Sequence, residues 1–176
     1  MNIRDFDGIT PELSEGVFVD SAALVQGDVS IGKDSSIWPM TVVRGDVNSI
    51  SIGERTNIQD GCVLHVTHEG PFGEGRSLII GNDVTVGHKA VLHACEIHDL
   101  CLIGMSATVL DGAVVNKQVM VGAGSLVPPK KVLESGYLYL GSPVKRIRAL
   151  NEKEIAYLQY SSEHYVRLKQ RHQKVK

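Results

Sequence analysis

The chain has 176 residues, 43% of them hydrophobic, and a formal net charge of −2 from 18 basic and 20 acidic residues. That length suits one domain with a buried core, and the mixed charge excludes the single-sign field that holds nucleic acid or an anionic membrane. No apolar run approaches the ~20 residues of a membrane-spanning helix. The opening "MNIRDFDGIT" lacks the apolar stretch of a signal peptide. The three cysteines, Cys62, Cys95 and Cys101, form no CxxC pair. They read as small buried residues of a cytoplasmic protein rather than as a disulfide framework or a thiolate metal site.

Along the chain, apolar residues recur in steps of six: Val19, Val25, Ile31, Ile37 and Val43, then Ile52, Ile58 and Leu64, then Ile80, Val86 and Leu92. A last series runs through Ile97, Ile103, Val109, Val115, Val121 and Val127. A period of six belongs to neither helix nor hairpin. It predicts a triangular coil of short parallel strands with one aliphatic anchor per hexapeptide pointing inward, about 18 residues per coil. Glycine directly follows many anchors (Gly32, Gly53, Gly81, Gly87, Gly104, Gly122), which suggests that glycine or a small polar residue turns the corners.

Two stretches break the rhythm. The step from Val43 to Ile52 is nine, around "RGDVNS", and the step from Leu64 to Ile80 is sixteen, across the polar, glycine-rich "HEGPFGEGR" of residues 68–76. Insertions of this kind collect on one face of a repeat protein, often the working face. The repeat is expected to stop near Val127, because the prolines of "PPK" cannot donate to a strand ladder. Extended chain follows through "ESGYLYLGSPVKRIRAL". Asn151 then opens a helix with Glu154 in capping-box position, running from Glu152 to about Gln173 with apolar Ile155, Leu158, Tyr165, Val166 and Leu168. Its basic end (Arg167, Lys169, Arg171, Lys174) reads as a solvated face. The division predicted is therefore a coil domain over residues 1–150 and a helix over 151–176.

The anchors assign faces. Ile52, Ile80 and Ile97 start one, Ile58, Val86 and Ile103 the second, and Leu64, Leu92 and Val109 the third. His65 directly follows Leu64 and His93 directly follows Leu92, so they hold the same place on the same face, about 5 Å apart. That is close enough for both imidazoles to share a metal. His88 follows Val86 and lies on a different face, pointing away. In a threefold assembly a face of one subunit meets a different face of the next, so His88 from one chain could complete a three-histidine set with an open fourth position. Three separately hydrogen-bonded structural histidines are the other reading of this spacing. His68 reads as a surface residue of the insert or a proton relay, and His98, His164 and His172 as surface or packing residues.

The stretches "RGDVNSISIGERTNIQDGCVLHV" and "IGNDVTVGHKAVLHACEI" resemble the gamma-class carbonic anhydrases, hexapeptide-repeat proteins with a left-handed parallel β-helix and a C-terminal α-helix. The likeness extends through "LVPPKKVLESGYLYLGSPVKRIR" to the closing helix and is strongest to the bacterial YrdA-type branch. It implies a homotrimer with Zn2+, or Fe2+, held between subunits by His65, His93 and a neighbour's His88. It also implies that Gln59 bonds the metal-bound water, that Asn57 is a polar support nearby, and that Arg44 pairs with Asp60 across the interface, with Asp46 in the same polar network.

What the resemblance implies chemically is the reversible hydration of CO2 to bicarbonate. Zinc on three neutral imidazoles lowers the pKa of its water to about 7. A proton must then leave. Val47 and Asn48 stand where active relatives carry glutamates, a departure that implies weak or absent turnover. Glu69 or His68 in the insert could shuttle the proton, and Tyr160 or Tyr165 could be the tyrosine found near the metal in relatives. Two alternatives remain: a hexapeptide-repeat acyltransferase using acyl-CoA, which would need a lone histidine and no interfacial metal, and a non-catalytic zinc-binding trimer.

Overall fold

All seventeen anchors lie in the interior, the most exposed being Val19 at 4%. The computed structural model describes residues 2–174, so the outermost positions of the expected domains (1, 175 and 176) fall outside the described residues. The predicted faces are those observed. Ile52, Ile80, Ile97 and Val115 align in register down one side. Ile58, Val86, Ile103 and Val121 align down the second, and Leu64, Leu92, Val109 and Val127 down the third. Each aliphatic side chain thus stacks on its counterparts one coil above and below, the contact that stabilises a one-dimensional repeat. Fully burying such a side chain stabilises by roughly 1.5–3 kcal/mol.

Apart from one antiparallel pair at the end, the strands pair in parallel, mostly two or three residues at a time, except where the chain runs on without a break. The long strand Val42–Ile52 rounds a corner, so two faces join in one 12-stranded sheet while the third face is an 8-stranded sheet. Opposite it, Leu24–Ile31 pairs Gly27 with Gly45 but Val29 with Ile50. The "RGDVNS" insertion is therefore a bulge inside a strand, of the kind that re-aims side chains.

The corners are not turned by the glycines that follow the anchors. The left-handed residue sits three places after the anchor and is mostly not glycine: Asp34, Arg55, Asp83, Lys89, Ser106, Gln118 and Lys130 have φ of 50° to 60°. The post-anchor glycine meets a different demand. A Cβ on Gly104 would lie 2.5 Å from the Ala123 nitrogen, and one on Gly32 would lie 2.6 Å from the Gly53 carbonyl carbon. Coil-to-coil approach, not φ, selects glycine there.

The coil also continues past the expected stop. Leu133 and Tyr139 take the next two anchor positions, buried at 0% and 4%, and Val132–Leu133 pairs with Val114–Val115. Pro128 and Pro129 fall in a turn, where no ladder N–H is required. The following extended segment forms an antiparallel pair, Tyr137–Gly141 with Val144–Ala149, on the end of the 8-stranded sheet. The 68–76 insert is a small hairpin, closed by Thr67–Arg76 and Gly70–Gly73 backbone bonds, with Phe72 exposed at its tip.

The helix Glu152–Lys174 begins with the predicted reciprocal cap: Glu154 N donates to Asn151 Oδ1 at 2.9 Å and Asn151 N to Glu154 Oε2 at 3.0 Å. It packs on the second face. Of the expected apolar stripe only Leu158 is buried, Ile155 being 37% exposed. Ser161, Ser162 and Lys169 supply the rest of the buried side. Lys169, expected in solvent, is 1% exposed. Its ammonium donates to Asp34 Oδ1 at 2.8 Å and to the Gly16 carbonyl. Nearby, Tyr165 and His172 meet the Trp38 ring edge-on at 5.5 and 5.1 Å.

Candidate metal centre

His65 and His93 stand side by side on successive coils, as the anchors require. Their facing nitrogens, His65 Nδ1 and His93 Nε2, are 3.2 Å apart. The outer nitrogens are each held by a carboxylate. His65 Nε2 lies 3.0 Å from Asp46 Oδ1, and His93 Nδ1 lies 2.7 Å from Asp111 Oδ1. Asp46 comes within reach because it sits in the strand bulge, and it also accepts from Arg44. Asp111 also accepts the Thr67 hydroxyl, which ties the base of the hairpin to the site. Burial alone would raise the pKa of both carboxyls. Hydrogen bonds from His65 and Arg44 outweigh it at Asp46, and bonds from Thr67 and His93 outweigh it at Asp111, so both lie below the ordinary value. Each is therefore a firm anion at neutral pH.

Asp111 and Thr67 were missed from the sequence. The available signal was position: Asp111 follows Val109 by two, one coil along from His93 on the same side.

His88 is on the second face, as expected, and its Nδ1 is 2.9 Å from Asp60 Oδ2. All three histidines thus carry a carboxylate on one ring nitrogen. Among the described residues of the single chain, no three His, Cys, Asp or Glu side chains converge on one point. Within the chain Asp60 pairs with His88 and Arg44 with Asp46, so the expected Arg44–Asp60 pairing has no counterpart inside one subunit.

A cleft of about 340 Å³ opens between the helix and the second face, with His88, Gln59, Tyr157, Ser161 and Tyr165 among its walls. Gly87, Gly104 and Gly122 also line it, and having no side chains they leave it room. Of the two tyrosines considered, Tyr165 lines this cleft; burial, then the Asp60 charge, raises its pKa. Tyr160 is 54% exposed and stacks with His164 instead. Tyr157, not considered from the sequence, also reaches the cleft. Gln59 and Asn57 are buried and bonded, Gln59 Nε2 donating to Asn57 Oδ1 at 3.1 Å. His68 and Glu69 are exposed on the hairpin, and among the described residues neither bonds to the three histidines. The cysteines are buried as expected. Desolvation pushes the thiols up to about 11 at Cys62 and about 12 at Cys95 and Cys101, which leaves no thiolate near neutral pH.

No family model matches the chain, but individual proteins do. It is 52% identical over 168 residues to protein YrdA of Escherichia coli, covering 95% of this chain and 91% of that one. It is 47% identical over 172 residues to mitochondrial gamma carbonic anhydrase 2 of Arabidopsis thaliana, covering 98% of this chain and 61% of the plant protein. Among solved structures, a hexapeptide transferase family protein from Anaplasma phagocytophilum superposes with a TM-score of 0.89 at 41% identity, covering 95% of each chain. A repeat coil with aligned His65 and His93, an outlying His88 and these relatives defines the class: the chain belongs to the gamma-class carbonic anhydrase family. Within that family it falls in the YrdA branch.

Proposed function

We propose that this chain is a metal-dependent carbonic anhydrase-like enzyme that interconverts CO2 and bicarbonate at sites shared between the subunits of a homotrimer. The observation that carries this reading is the pairing of each histidine with its own carboxylate. A carboxylate-bound ring nitrogen keeps the proton, so the other nitrogen presents a lone pair. For His65 and His93 two such lone pairs face each other at 3.2 Å, an arrangement that either one shared proton or one shared metal ion satisfies. Two nitrogens bound to one tetrahedral zinc at 2.0–2.1 Å are about 3.3 Å apart. The donor set therefore fits Zn2+, with Fe2+ as the other candidate for imidazole nitrogen. His88 Nε2 is the third donor, supplied by an adjoining subunit.

When bound, such an ion supplies a water that ionises near pH 7. The chain's own groups do the rest. Asp46, Asp60 and Asp111 orient the imidazoles and strengthen them as donors. Gln59 offers a hydrogen-bonding group toward the cleft, and Asn57 holds it. Arg44 keeps Asp46 charged and aimed at His65. Glu69, exposed on the hairpin, is the candidate that carries the released proton to solvent. The free, buried cysteines support a reducing, cytoplasmic setting.

The likeness to the hexapeptide transferase supports an acyl-CoA-dependent alternative. Metal analysis separates the two. Protein purified anaerobically should carry one ion per chain, and His88→Ala should empty every site while the coil stays folded. Full metal content in that variant, or bound coenzyme A with no metal, overturns the reading.

A further inference from the structure

We infer that Thr67, at the base of the 68–76 hairpin, is a positioning residue that holds the Asp111 carboxylate in one rotation and through it aims the His93 ring. This deepens the proposed metal chemistry and rests on it only for the ion that His93 would meet.

Both breaks in the six-residue rhythm end at Thr67. Its backbone N–H donates to the Arg76 carbonyl at 3.0 Å and its carbonyl accepts from the Arg76 N–H at 2.9 Å, which closes the hairpin. The same carbonyl accepts from Asn48 Nδ2, in the strand bulge, at 3.3 Å. The Thr67 backbone is thus held by both insertions, and its hydroxyl is delivered to a carboxylate 44 residues further along the chain.

The donor of each bond beyond that point is settled by chemistry. Asp111 is an anion at neutral pH, and a carboxylate only accepts. Thr67 therefore donates to Asp111 Oδ2, and His93 Nδ1 donates to Oδ1 at 2.7 Å. That leaves the His93 lone pair on Nε2, the nitrogen that faces His65 Nδ1. The last torsion of an aspartate is broad and roughly two-fold. A bond to His93 alone does not fix it, because carboxylate and ring can turn together. A second bond, to a hydroxyl on held backbone, does fix it. Among the described residues no other side chain bonds Asp111. Its side chain is 38% exposed, so without the Thr67 hydroxyl Oδ2 is left to mobile water and the ring loses its outer stop.

Thr67→Val keeps the shape and the backbone bonds but removes the donor, while Thr67→Ser keeps the donor. The readout is the His93 Nδ1–H proton in 15N-labelled, metal-free, full-length protein, identified by its loss in His93→Gln. In the parent protein this proton is held on Asp111 and exchanges slowly with water. Thr67→Val should speed its exchange roughly three- to tenfold, the effect of losing one hydrogen bond, and Thr67→Ser should restore the parent rate. Zinc affinity, read by competition with a chromogenic chelator, should fall about tenfold in Thr67→Val and recover in Thr67→Ser. A role confined to closing the hairpin would lower the melting temperature of Thr67→Val and leave the His93 proton as it is in the parent. Parent-like exchange of that proton in folded Thr67→Val overturns the inference, as does fast exchange in Thr67→Ser. A parent protein that binds no zinc overturns the metal reading instead, and the exchange rates still decide what Thr67 does.

Discussion

His93 Nδ1 lies 2.7 Å from Asp111 Oδ1, and Asp111 takes a second hydrogen bond from Thr67 at the base of the hairpin. The carboxylate therefore does two things: it fixes the His93 tautomer and it sets the ring's rotation toward His65. Asp111→Asn keeps the shape, since an amide can accept from His93 with one end and bond Thr67 with the other, but it removes the charge. The expected outcome is a 10- to 100-fold loss of zinc affinity, read by competition with a chromogenic chelator, with little change in melting temperature. Unaltered affinity in Asp111→Asn would mean that the pair is structural alone.

Much of this arrangement is legible in the sequence because it obeys the repeat. Leu64 and Leu92 must stack, and so His65 and His93 must be neighbours. What the repeat does not encode is what the insertions do. The bulge that aims Asp46 at His65 is a local departure from the period, and the Thr67–Asp111 contact spans 44 residues. The corner residues follow the sequence reading only in part: small polar Asp34, Asp83 and Ser106 turn corners as expected, but the post-anchor glycines do not. Glycine is useful both for left-handed backbone and for close approach, and here the post-anchor glycines meet the second demand. Lys169 was misread because charge predicts exposure, while its partners, Asp34 and the Gly16 carbonyl, lie 135 and 153 residues away.

Close approach makes its own prediction. A Cβ at Gly104 meets backbone of the next coil, the Ala123 nitrogen at 2.5 Å and the Gly122 carbon at 2.6 Å. Backbone held in a parallel ladder cannot swing away as a side chain can. Gly104→Ala should destabilise by about 1–3 kcal/mol, a fall of roughly 3–10 °C in melting temperature for a chain of this size. Gly124 has φ of +65° and nothing within 4 Å of its Cβ position, so Gly124→Ala bears conformational strain without collision. It should cost less. Thermal melts of the two variants side by side check the order, and a reversed order counts against the close-approach argument.

The cysteines give a prediction with a definite sign. Burial pushes the Cys62 thiol to about 11 and the Cys95 and Cys101 thiols to about 12. In the unfolded chain such thiols ionise near 8.5. The folded state therefore binds protons more tightly, and its stabilising share is fully present below about pH 8.5 and is lost as pH rises toward 11–12. At pH 8 the native protein should resist a thiol reagent, and all three cysteines should react in urea. The urea midpoint should fall steadily above pH 9. Rapid labelling of folded protein at pH 8 would refute the burial assigned to whichever cysteine reacts.

Lys169 fastens the last turns of the helix to the first coils. Its Nζ donates to Asp34 Oδ1 at 2.8 Å and to the Gly16 carbonyl, with 1% of the side chain exposed against 29% for Asp34. Lys169→Met keeps the volume of the stem and removes the charge. Asp34 is near enough to solvent to be rehydrated, while the Gly16 carbonyl loses a charged donor, so the expected loss is about 1–3 kcal/mol. Because the bond joins the helix to only one place on the coil, the effect should be local before it is global. Amides of the helix after Glu163 should exchange with deuterium much faster in Lys169→Met, while those of the central coils, such as Val86 and Ile103, keep their protection. Uniform acceleration through both regions would instead mean that the helix and the coil unfold as one unit, with Lys169 contributing to the whole.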